Sequence, residues 1–197
     1  MIGGAVLLAF ICWAVTFGWA AGNFWVKIGV SVLVVFTYSL FFQKPKVRLR
    51  ISSFAFGFLS AVVLYFLFYA GHLLAPYILP GAKTQVGGIY FLGAGTSKVL
   101  IFLLLFFITG PGEEIFWRGF LQDHLMKKWG NFQGFVLATL IYAGVHVFSF
   151  NPMLILAALV AGTFWGLLYL WKRDLLAQII SHSFWSAVIF AVAPIQG

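Results

Sequence analysis

Seven apolar runs, at roughly 2–22, 28–42, 53–77, 98–127, 132–148, 153–171 and 175–193, take up most of this 197-residue chain. Each approaches or exceeds the ~20 residues a helix needs to cross a bilayer. Inside lipid every backbone amide and carbonyl must be satisfied internally, which leaves helices or a closed barrel, and the alternating pattern of barrel strands is absent. The sequence therefore predicts an all-α, polytopic transmembrane helical bundle of about seven spans. Only 8% of residues are charged and 63% are hydrophobic, too little charge for the surface of a soluble domain.

The first run lacks a basic leader and is longer than the core of a secretion signal, so a retained helix is expected. Cys12 is the single cysteine and has no partner for an intramolecular disulfide. No internal repeat stands out, and "PGAKTQVGGIYFLGAGTSK" is the only long stretch between spans. One integral membrane domain over 1–197 is the economical reading. Gly18 and Gly22 form a GxxxG pair, while Ala158, Gly162 and Gly166 put small residues on one face of the sixth span, where helix backbones can approach closely.

A net charge of +8 raises the question of nucleic acid. The cations, however, sit at span ends, where they meet lipid headgroups, so no nucleic-acid partner is expected. If the spans alternate, one face receives Lys44, Lys46, Arg48, Arg50, Lys127, Lys128, Lys172 and Arg173, and the other only Lys27, Lys83 and Lys98. The positive-inside rule then expects a multi-pass protein of the cell membrane with a cytoplasmic amino terminus.

Against this background "GPGEEIFWRG", residues 110–119, is anomalous, because it places two of the chain's four acidic residues at membrane depth. A charge at the centre of a spanning helix costs at least ~2.5 kcal/mol, so those present pair with one another or line a cavity. Gly110-Pro111-Gly112 is expected to interrupt the fourth span, with a half-helix starting at Glu113 whose free amides favour carboxylates. Glu114 and Arg118, at i and i+4, share a face and form an ion pair; Glu113 is rotated by ~100° and left free to accept a proton in a cavity.

Depth arithmetic brings further residues to the same level. Counting from Lys128 back to Glu113 gives ~22 Å, from Phe132 to His146 ~21 Å, and from Arg173 to His182 ~14 Å. Tyr142 precedes His146 by one turn, and Ser186 follows His182 by one turn. His72 and His124 read as packing residues.

Assembled in this order, Glu113-Glu114-x-x-x-Arg118, the aromatic-x-x-x-His ending at His146, and "GLLYLWKRDLLAQIISHSFWS" carrying His182 resemble the CPBP family of intramembrane proteases, the CAAX-protease and bacteriocin-processing (Abi) group. The resemblance covers 105–190, so 98–193 is the expected protease core, and 1–95 resembles nothing beyond generic spans. It implies peptide-bond hydrolysis within the membrane, with Glu113 and His146 activating a water and His182 stabilising the oxyanion, helped by the Ser186 hydroxyl. Glu114, Arg118 and Tyr142 are the expected structural support. Two positions depart from the family pattern: Tyr142 stands for Phe, and Ser186 stands where Asn is common.

A metal-free glutamate mechanism is the preferred expectation. The alternative is a divalent ion such as zinc, held by Glu113, Glu114, His146 and His182. The expected partners are the bilayer and a membrane-anchored protein or peptide substrate. Two other functions fit the same residues: a non-catalytic scaffold or regulator holding a partner helix, and a transporter, which the absence of a second broken helix disfavours.

Overall fold

The computed structural model describes residues 1–195. Its helices are α1 (Ile2–Gly18), α2 (Phe24–Leu40), α3 (Ile51–Ile78), α4 (Ala82–Phe91), α5 (Lys98–Trp129), α6 (Asn131–Ser149), α7 (Pro152–Lys172) and α8 (Leu175–Val192). Five of these, α3 and α5 to α8, are long and apolar enough to span a bilayer. The apolar α1 and α2 have 17 residues each, the short end of the spanning range. Large apolar side chains such as Leu7, Phe54, Leu59 and Phe66 remain exposed, which suits a lipid-facing surface. Each of the seven expected spans thus coincides with an apolar helix, five of them of spanning length. The eighth helix, α4, falls inside the stretch read as a connector, where its two adjacent glycines, Gly87 and Gly88, weaken the local helix signal.

Helix starts follow capping chemistry. Asn23 accepts from the amides of Trp25 and Val26, Asn151 from Leu154, and Asp174 from Ala177, with Pro152 opening α7. Gly130, at φ +91°, separates α5 from α6, a conformation that glycine adopts without the Cβ penalty.

The fourth span is not interrupted at Gly110-Pro111-Gly112. α5 runs continuously through all three residues, flanked by widened π turns at Leu105–Thr109 and Ile115–Gln122. The wide turn before Pro111 adjusts the hydrogen-bond register where proline has no amide to give: the Gly110 amide bonds back to the Leu105 carbonyl. The glycines serve packing. A Cβ on Gly110 would lie 2.8 Å from Ser183 Cα, and one on Gly112 would lie 2.5 Å from Val32 Cγ1. No half-helix therefore begins at Glu113, and free amides do not stabilise its carboxylate.

Small residues act elsewhere as the sequence suggests, with one exception. A Cβ on Gly162 would press Tyr142, and one on Gly166 would press Phe135, so α7 lies close on α6. At Gly18 and Gly22, by contrast, nothing stands within 4 Å of a Cβ. Gly22 instead takes φ +85° in the turn between α1 and α2, so the pair is not a helix-packing motif.

Polar contacts define the two ends of the bundle. At one end Asp123 binds Lys127 (2.5 Å) and Arg173 (3.2 Å), Arg173 also binds Asn131, and Ser53 donates to Asp174 (2.6 Å). At the other, Asn23 donates to Thr96, Asn151 to the Gln85 carbonyl, and the Ile195 amide to the Tyr90 hydroxyl.

Candidate active site

α5, α6 and α8 each bring polar side chains to one cavity of about 500 Å³, whose lining includes Glu113, Tyr142, His146, His182 and Ser186. Glu113 is 7% exposed, and its Oε2 has no protein hydrogen-bond partner among the described residues. Glu114 Oε2 is in the same state, and a buried carboxylate oxygen without a partner is accounted for by an ordered water, an ion or a role in chemistry. Glu114, one residue on and rotated away, is fully buried.

The Arg118 Nη1–H donates to Glu114 Oε1 at 2.9 Å, the i,i+4 pair expected from spacing. His182 Nδ1–H donates to the same oxygen at 2.7 Å, so the second histidine is tied to Glu114 rather than to Glu113. Arg118 gains further support from the Gly162 carbonyl (3.3 Å) and from the faces of Tyr142 and Trp165. Trp165 also stacks on the His182 ring, with centroids 3.9 Å apart. The two glutamates therefore differ in environment: one is spent on a buried cation and an imidazole, and the other faces the cavity.

His146 is held differently. Its Nδ1–H donates to the Tyr142 carbonyl at 2.8 Å, which leaves the lone pair on Nε2. The indole N–H of Trp13 donates to that lone pair at 3.4 Å. Trp13, Trp117, Tyr142 and His146 form a closed ring of edge-on contacts, with neighbouring centroids 5.2 to 6.1 Å apart. The Ser186 hydroxyl donates to the His182 carbonyl (2.8 Å), so its proton points at backbone, although the residue lines the cavity.

Trp13 and Trp165 are contributions that motif spacing does not reveal. Trp13 lies in the part of the chain without any recognisable pattern, and a tryptophan in an apolar run carries no signal of its partner. His72 also lines the cavity instead of serving only as packing, while His124 stays apart and bonds the Phe120 carbonyl.

The four alternative metal ligands do not fit a divalent ion as they stand. No three His, Cys, Asp or Glu side chains group as ligands among the described residues. Glu114 Oε1 is shared by a guanidinium and an imidazole N–H, and both His146 nitrogens are engaged.

Residues 95–188 match the family described as Type II CAAX prenyl endopeptidase Rce1-like. No curated protein and no solved structure matches the chain at a significant level. The matched stretch extends from just ahead of α5 into α8 and contains every residue named above for the glutamate, arginine and histidine cluster. Over residues 95–188 the chain is thus similar to this CAAX protease family, the CPBP group that its sequence resembles.

Proposed function

We propose that this protein is an intramembrane endopeptidase that hydrolyses a peptide bond near the membrane anchor or carboxyl-terminal tail of a membrane-anchored protein. The observation that carries the reading is the Glu113 carboxylate, buried on the wall of a cavity that His146 and His182 also line, with Oε2 free of protein partners among the described residues. In the proposed step Glu113 takes a proton from a water while the water oxygen adds to the scissile carbonyl carbon. Collapse of the tetrahedral intermediate breaks the C–N bond, and the proton held by Glu113 passes to the departing amine, leaving a carboxylic acid and an amine that exchange a proton to become carboxylate and ammonium. His146 Nε2, once it exchanges the Trp13 N–H for water, helps to orient that nucleophile. His182, anchored at Nδ1 by Glu114, presents Nε2 to the cavity and donates to the oxyanion when its ring carries both protons.

No metal takes part in this scheme, which makes the protein a glutamate protease. Its chemistry gains from seclusion, since charge interactions strengthen as water is excluded. The reading is tested by comparing the membrane proteome of a strain lacking the protein with one carrying Glu113→Gln. The same protein tails are expected to stay unprocessed in both. Full processing in the Glu113→Gln strain, with losses only in the deletion, would favour a non-catalytic scaffold that holds a partner helix in the same cavity.

A further inference from the structure

The cavity is confined to one half of the bundle. It draws on the end of α1 (Trp13, Phe17), the start of α2 (Trp25, Ile28), the second half of α3, α4, the start of α7 and the second half of α8. These segments converge on the end where Asn23 meets Thr96 and Asn151 meets Gln85. Toward the opposite end, the α5 segment beyond Glu113 is closed by packed side chains: Phe116, Trp117, Phe120 and Leu121 are each at most 2% exposed. Glu113 thus has a floor on one side and open volume on the other.

The two ends differ in charge. Of the twelve Lys and Arg residues, eight lie on the closed end, around the Asp123 network and the segment 43–50; Arg118 is buried, and Lys27, Lys83 and Lys98 remain at the open end. A second recess of about 370 Å³ at the open end is lined by His72, Lys83 and Tyr90 and shares His72, Val86 and Tyr90 with the main cavity, so Lys83 marks its mouth. Loops rich in Lys and Arg are retained in the cytoplasm, and this bias sets the orientation of a multi-span protein.

Resting on the peptidase reading, we infer that the catalytic cavity opens to the non-cytoplasmic face, so that the substrate is the juxtamembrane segment of a protein whose processed end lies outside the cytoplasm. The basic rim sits behind the packed floor, on the cytoplasmic side, and binds anionic headgroups without access to Glu113.

Cysteine labelling in intact cells tests this, because Cys12 is the only native cysteine. In a Cys12→Ala background, Lys83→Cys or Gly87→Cys marks the mouth, and Lys128→Cys or Lys172→Cys marks the rim. A membrane-impermeant maleimide is expected to label the mouth variants in intact cells and the rim variants only after permeabilisation; the reverse pattern overturns the inference. Labelling needs no catalysis, so its outcome is independent of the peptidase reading. Paired reporters with the same peptide segment outside or inside the membrane add the second arm. Glu113-dependent cleavage of the outside reporter alone is expected, whereas cleavage of the inside reporter alone removes the inference and leaves the peptidase standing.

Discussion

Adjacent glutamates with different surroundings are the central feature at the scale of residues. Glu114 is bound through Oε1 by Arg118 and His182, while Glu113 lines the cavity; the Oε2 atom of each has no hydrogen-bond partner among the described residues. Removing Arg118 strands a buried carboxylate, so Arg118→Leu should destabilise the protein by ~3–5 kcal/mol, read as a lower unfolding temperature in detergent. A variant as stable as the parent would show that the pair is not buried as described. Ser186 invites a different expectation, because its hydroxyl donates to the His182 carbonyl. Ser186→Ala should therefore leave the cleavage rate within a few-fold of the parent. A loss of the ~10²–10³-fold typical of an oxyanion donor would mean that the hydroxyl turns into the cavity during turnover. The Glu114–Arg118 pairing was legible in the sequence because i,i+4 spacing on a helix determines it. The hydrogen bond from Trp13 to His146 was not, since 133 positions separate the two residues and only the packing of α1 joins them.

Helix α5 shows, at the scale of elements, how a local signal is overruled. Gly-Pro-Gly reads as a break from propensity alone, yet the helix continues, because π turns absorb the proline and the glycines let α8 and α2 approach. Propensity reports what a segment prefers when isolated, and here the close approach of Ser183 to Gly110 decides the outcome. Gly110→Ala should therefore cost ~1–3 kcal/mol through overpacking, measured by thermal unfolding, with helix content unchanged. A stabilised variant would instead favour a helix that gains from higher propensity, and would contradict the packing role. The span count was readable from apolar run length, whereas α4 carries too weak a helical pattern to be separated from a loop.

For the whole molecule, the topology joins a sealed, basic end to an open cavity at the other end, with Glu113 between them. That arrangement was only half visible in the sequence: charge counts gave the asymmetry of the ends, but which end the cavity opens toward depends on how eight helices pack. The engaged state of the candidate ligands predicts that cleavage by purified protein survives prolonged chelation. Activity abolished by chelator and restored by one divalent ion would overturn the proposed metal-free mechanism.

The most direct measurement of the central claim is the rate at which purified, membrane-reconstituted protein cleaves a substrate identified from the proteome comparison, for the parent, Glu113→Gln and His124→Ala. His124 lies outside the cavity, so its replacement should change the rate little. Loss of the Glu113 base should slow cleavage by at least ~10²-fold while the unfolding temperature holds. Cleavage by Glu113→Gln within two-fold of the parent would contradict the account.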